Sequence, residues 1–187
     1  MTNLTLEPLV GSGQLLERGA RSEIGALRCS WLAGAVRFEE RAWSCESAEM
    51  HWTSPAHLIV LTHRGRTART RITPEGGRLH DIRDRPGTVS FVPVNLPRRA
   101  IYEQADLRYS ALWIHPNAGA LADAPAVENA LINAQEPALA SLIDSLRLDL
   151  AAGCMPDDGY VEQVGSVFLR LIAAADRTGA PRAVRDA

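Results

Sequence analysis

The 187-residue sequence contains no lysine; all 20 of its basic residues are arginine. A lysine Schiff base, a lysine general base and a phosphate loop of the form G-x-x-x-x-G-K-[ST] are thereby excluded. Histidine is scarce, and no H-x-H occurs to offer one ion two ligands from the same strand face. His57 and His63 share a strand face, but six residues at about 3.3 Å each hold them about 20 Å apart. His51 and His80 read as lone hydrogen-bonded residues of a core or rim. Neither a metal nor a cofactor is expected. The three cysteines, Cys29, Cys45 and Cys154, are far apart and form no C-x-x-C, so they read as reduced, buried small hydrophobes. There is no basic segment followed by an apolar run at the N-terminus, and no stretch long enough to span a bilayer. A net charge of −2 gives no global attraction to nucleic acid or membrane. A cytoplasmic protein with no membrane partner is expected.

What is present is a run of short β-type segments. The centre is Arg85-Pro86-Gly87-Thr88-Val89-Ser90-Phe91-Val92-Pro93-Val94-Asn95-Leu96-Pro97-Arg98-Arg99. Pro86-Gly87 is a turn pair, Thr88–Val92 a strand, and Pro93 a stop because it has no N–H for the ladder. A second turn follows, and Arg98–Tyr102 resumes an extended pattern. Upstream, Gly25–Leu32, Phe38–Trp43, His57–His63, Arg66–Ile72 and Leu79–Ile82 predict strands, with Gly65 at a bend. Leu107–Ile114 predicts the last one, stopped by Pro116. Strands at this spacing fit a mainly β jelly-roll barrel over residues 24–116, preceded by an N-terminal arm over residues 1–23.

After Pro116 the pattern changes. Asn117–Pro125 is a small-residue linker. Pro137 opens a helix with Leu139, Leu142, Ile143, Leu146 and Leu150 at helical spacing, ended by Gly153 and Pro156. Asp157 or Asp158 caps a second helix, whose stripe is Tyr160 or Val161, then Val164, Val167, Phe168, Leu171 and Ile172. Residues 117–176 are thus a linker and a helical hairpin, and residues 177–187 a polar tail. That stripe is too apolar to leave wet, and a second hairpin in a two-fold homodimer is its expected cover.

The chemistry is sparse. Glu39 and Glu40 are adjacent on a strand and point to opposite faces, so they make no carboxylate dyad. Arg64, Arg66, Arg69, Arg71, Arg98 and Arg99 read either as a solvated barrel face or as a set from which one arginine turns inward to hold a ligand carboxylate or phosphate. Aromatics make up only 5% of the chain, yet most fall in the barrel segments. Tyr109, Ala111 and Trp113 share one strand face, and Arg41 and Trp43 share another. Such a lining describes a small-ligand pocket, and it also describes ordinary core packing.

The segments His57-Leu58-Ile59-Val60-Leu61-Thr62-x-x-Gly65, Arg85-Pro86-Gly87-x-Val89-x-Phe91-Val92-Pro93 and Leu107-x-Tyr109 to Trp113-x-x-Pro116 together resemble the effector-binding cupin domain of AraC-type transcription regulators. The resemblance implies a cupin-like barrel that binds a small-molecule effector, and a hairpin that dimerises. It places Tyr109 and Ala111 at ligand-contacting positions and Arg41 near one. With Trp43, His57 and Trp113 these make the candidate ligand set, and no catalytic residue is assigned. Family members carry two helix-turn-helix units after the hairpin, whereas this sequence stops at Ala187. DNA would be bound only through such a unit, and the chain is expected to be either a regulator's sensor domain or a standalone barrel. The alternative function is a metal-free cupin enzyme of isomerase or cyclase type, with Tyr109, His57 or Arg41 as acid–base or polarising groups. A binding protein with no signalling role is a third reading.

Overall fold

Two long strands, β3 (Val36–Thr53) and β8 (Arg98–Ile114), run antiparallel along most of their length and form the spine of the molecule. The structure is a computed structural model that describes residues 11–116 and 126–177. On the far side of β3 lie β1 (Ser12–Arg18) and β2 (Arg21–Trp31). On the far side of β8 lie β4 (His57–Arg66) and β5 (Arg69–Pro74). Beyond these come β6 (His80–Ile82) on β5, β7 (Val89–Val92) on β4, and β9 (Leu131–Ala134) on β7. Among the described residues the result is one nine-stranded antiparallel sheet. Helices α1 (Pro137–Ala151) and α2 (Asp158–Arg177) follow as a hairpin. The fold is a cupin-like jelly roll with a C-terminal helical pair.

Strand alternation sorts the side chains onto two faces. Val36 and Phe38 of β3, Ile59 and Leu61 of β4, Val89 and Phe91 of β7, and Leu112 and Ile114 of β8 meet Leu139, Ile143, Leu146, Val161, Phe168 and Ile172 of the helices in the main core. The other face curls around an interior cavity. Both faces of β4 are therefore covered, which explains why His57–Thr62 is so apolar a run. Gly65 sits at φ 88, and a Cβ there would stand 1.8 Å from the carbonyl oxygen of Asp106 on β8. Only glycine lets the two backbones approach so closely.

The helices follow their expected bounds. Pro137 opens α1, whose Leu139, Ile143, Leu146 and Leu150 are buried. The side chain of Asp157 accepts a 2.7 Å bond from the Tyr160 amide and so caps α2.

Several details differ from the sequence reading. The segments Arg98–Tyr102 and Leu107–Ile114 are one strand, interrupted at Gln104, which adopts φ 49 opposite Glu46 where the β3–β8 ladder skips a pair. Ser12–Arg18, within the expected arm, is a strand paired with Ser47–Thr53. The short strand β9 had no sequence signal. Cys45 is buried and Cys29 half-buried, but Cys154 is exposed, in the loop between the helices. The linker Asn117–Pro125, the first ten residues of the arm and residues 178–187 of the tail lie outside the described residues.

Candidate functional site

The inner face of the sheet curves around a half-open cavity of about 160 Å³, close to the size that holds a benzene ring. Every strand except β6 contributes to its wall. Leu58, Val60, Met50, Ile72, Val92 and Leu107 make it apolar, and Trp43, Tyr102, Tyr109 and Trp113 add aromatic surface. Trp43 and Tyr102 meet edge to face at 5.0 Å, an arrangement favoured by the ring quadrupoles.

Tyr102 and Tyr109 differ by an odd number of residues and would face opposite ways on a regular strand. The interruption at Gln104 reverses the alternation, so both line the same cavity. The same break turns Arg98 inward with Tyr102 while Tyr109, Ala111 and Trp113 remain inside.

The polar groups of the wall are few and mostly matched. Trp43 donates its indole N–H to Glu17 at 2.9 Å. The Ser90 hydroxyl accepts the amide of Asn133 at 3.0 Å. Asp84 is buried and accepts from the hydroxyls of Thr67 and Thr70. Burial pushes its carboxyl up, against the opposing pull of those hydrogen bonds. Burial likewise raises Tyr102 and Tyr109, with the Arg41 guanidinium beside Tyr109 pulling the other way. Both phenols stay protonated and can donate.

Arg41 is 5% exposed and makes a buried ion pair through Nε with Glu39, two residues back on the same strand face. Its Nη2 is buried and has no hydrogen-bond partner among the described residues. Arg98 Nη1 is in the same condition, on the same cavity. Native interiors rarely leave such donors unmatched.

The structure brings five of the six expected ligand residues, Arg41, Trp43, Tyr109, Ala111 and Trp113, onto this one cavity. His57 is not among them. It lies on the opposite face of the sheet, stacked on Phe91 at 5.5 Å, and its Nδ1 accepts the Val94 amide at 3.1 Å. Tyr102, Thr62 and Asp84 line the cavity without having been singled out, and Arg98 is the member of the arginine set that does so. Strand alternation alone could have put Thr62 with Leu58 and Val60. The placement of Tyr102 and Arg98 relative to Tyr109 needed the break at Gln104, for which glutamine gives no signal.

The arginine-rich edge resolves into two populations. Arg69 pairs with Asp81, Arg71 with Glu103 and Arg99 with Glu49 on the outside, while Arg98 points in. Of the five residues expected to dimerise, Phe168 and Ile172 are buried in the chain's own core. Val164 and Leu171 pack at its edge, and Val167 is 44% exposed. Among the described residues no three His, Cys, Asp or Glu side chains cluster as a metal site would require. Nor is any described helix long and apolar enough to cross a membrane.

No family model matches the sequence, and no curated protein does either. Solved structures do. The AraC-like transcriptional activator CuxR superposes over 94% of this chain and 73% of its own, with a TM-score of 0.53 at 14% identity. Two mutants of Bacillus subtilis oxalate decarboxylase OxdC, E162A and SENS161-164DSSN, match less of it. They cover 56% and 57% of this chain and 27% and 28% of theirs, at TM-scores of 0.39 and 0.40 and identities of 14% and 13%. Over nearly its whole length, the chain shares the fold of an AraC-like activator.

Proposed function

We propose that the chain is the effector-binding and dimerisation module of an AraC-like transcription regulator, with the cavity inside the barrel as its ligand site. One observation carries this reading. Arg41, held by Glu39, lines an aromatic-walled cavity, and a buried N–H of its guanidinium has no partner among the described residues. An acceptor atom on a small molecule completes that bond, and Trp43, Tyr109 and Trp113 supply the contact area. Ala111 leaves the room. A ligand that binds only the folded state raises its stability by about 2.7 kcal/mol at a hundred times its dissociation constant.

The test is a thermal-shift screen of small metabolites, neutral and charged, with Trp43→Ala and Tyr109→Phe as controls. A genuine occupant shifts the melting of the unmutated protein, loses most of that shift in both variants, and is recovered chemically unchanged. Shifts that survive both substitutions place the compound elsewhere and overturn the assignment.

For the hairpin, the stripe Tyr160, Val164, Val167 and Leu171 on α2 supports a second copy of the chain as partner. Spacings alternating between four and three residues are those of a seam between paired helices. Tyr160 and Val167 are the members left exposed.

A further inference from the structure

The polar lining of the cavity is not symmetric in charge. Glu39 already neutralises Arg41, so Arg41 presents a donor to the cavity but no net charge. The other end has no such compensation. No carboxylate of the described residues lies within ion-pair distance of Arg98, whereas its neighbour Arg99 has Glu49. Of the two acids on the wall, Glu17 holds the Trp43 indole N–H, and Asp84 is committed to Thr67 and Thr70, with burial favouring its uncharged form. Desolvation is also the largest influence on Arg98 itself. A guanidinium cannot shed its proton to escape such a position. Arg98 is half-buried, but its Nη1 is fully buried and has no partner among the described residues; such a cation is costly, and the usual resolution is an anion.

From this geometry we infer that the cavity selects a small organic monoanion, an apolar or aromatic monocarboxylate, whose carboxylate sits on Arg98 while Arg41 Nη2 donates to a neutral oxygen or to the π-face of its body. The inference rests on the ligand-binding reading above and names the class of ligand. Arg98 is one cation without a contacting carboxylate among the described residues, and Glu17 and Asp84 share the wall, so a dianionic phosphate monoester is disfavoured. The apolar walls and the benzene-sized volume set the body of the molecule. Guanidinium and carboxylate are matched for paired, charge-assisted hydrogen bonds, which an amide of the same shape cannot reproduce.

The experiment uses matched pairs on the whole chain. Benzoate, phenylacetate, 3-hydroxybenzoate and hexanoate are each compared with the corresponding primary amide by calorimetry, for the unmutated protein, Arg98→Met and Arg41→Gln. At least one acid should bind about tenfold or more tightly than its amide. That preference should vanish in Arg98→Met with amide binding kept, while Arg41→Gln, which leaves Glu39 unpaired, weakens the amide as well as the acid. A second readout needs no ligand. Removing a half-buried charge whose Nη1 is buried without a partner among the described residues should raise the melting temperature of the empty protein in Arg98→Met. Amides binding as well as acids, a preference that survives Arg98→Met, or a lower melting temperature in that variant would overturn the inference. Hits confined to neutral compounds of the wider screen would do so too, while leaving the ligand-binding reading intact. If nothing binds at all, both fall.

Discussion

His63 and Ser110 are joined across the β4–β8 ladder, with Nε2 and Oγ 2.7 Å apart, and the other ring nitrogen of His63 lies 3.5 Å from Asp144 on α1. The order serine, histidine, aspartate is that of a hydrolase triad, but the setting is not. Ser110 is fully buried in mid-strand, with its backbone spent in the ladder and no room for an acyl group. The histidine serves as a polar rivet between sheet and helix.

Ser110 should therefore show no nucleophilic chemistry. The protein should not hydrolyse activated esters above background and should not be labelled by fluorophosphonates. Ser110→Ala should cost about 1–2 kcal/mol in chemical denaturation, because it strips a partner from a half-buried ring nitrogen. A burst of product from an activated ester, lost in Ser110→Ala, is the contrary result.

The two faces of α2 should respond differently. Phe168→Ala empties the core between sheet and hairpin and should destabilise by about 3–5 kcal/mol. Val167→Asp alters an exposed position, so its fold should persist with a change within about 0.5 kcal/mol while the dimer dissociates. Light scattering at tens of micromolar separates the outcomes. An unmutated protein that is already monomeric there removes the dimer proposal.

Stability should fall on mild acidification. Burial, and secondarily His115, hold His57 below its ordinary value of 6.5, and the Nδ1 that accepts the Val94 amide must be unprotonated to do so. The unfolded chain takes up that proton first, so the stabilisation is whole above about pH 6.5 and drains away as the pH falls below it. His63 and His80 are shifted the same way by burial. Melting temperature measured between about pH 7 and 5 should decline, and His57→Gln should make the decline shallower without abolishing it.

Gly65→Ala should be among the harshest small substitutions. A left-handed backbone carrying a Cβ costs about 1–2 kcal/mol, and here the added carbon also meets the backbone of β8. A loss above about 2 kcal/mol by denaturant titration is expected.

The sequence foretold the fold class because its signals were local. Pro86-Gly87, Pro93, Pro116 and Pro137 each act on the residues beside them, and the apolar spacing of Leu139 to Leu150 needs no partner to be read. Five of the cavity residues were legible because Arg41 with Trp43, and Tyr109 with Trp113, obey simple alternation. His57 was assigned to the wrong face because an apolar strand covered on both sides carries no mark of which side is inner. Arg98 stayed among the surface arginines because the reversal at Gln104 arises from the pairing of two strands distant in sequence. Strand β9 is only Leu131–Ala134 and is recruited by β7, so nothing inside it announces a strand.

The sheet between cavity and hairpin is a single backbone thick, and its two spine strands work as membranes of a drum. Arg41 and Glu39 face inward while Glu40, between them, reaches Arg147 of α1 at 3.7 Å. Tyr109 and Ala111 face inward while Ser110, between them, holds the His63 rivet. The peptide units around Glu40 and Ser110 thus set both the wall of the cavity and the height of an anchor point for α1. Filling the one and seating the other are decisions taken by the same few bonds.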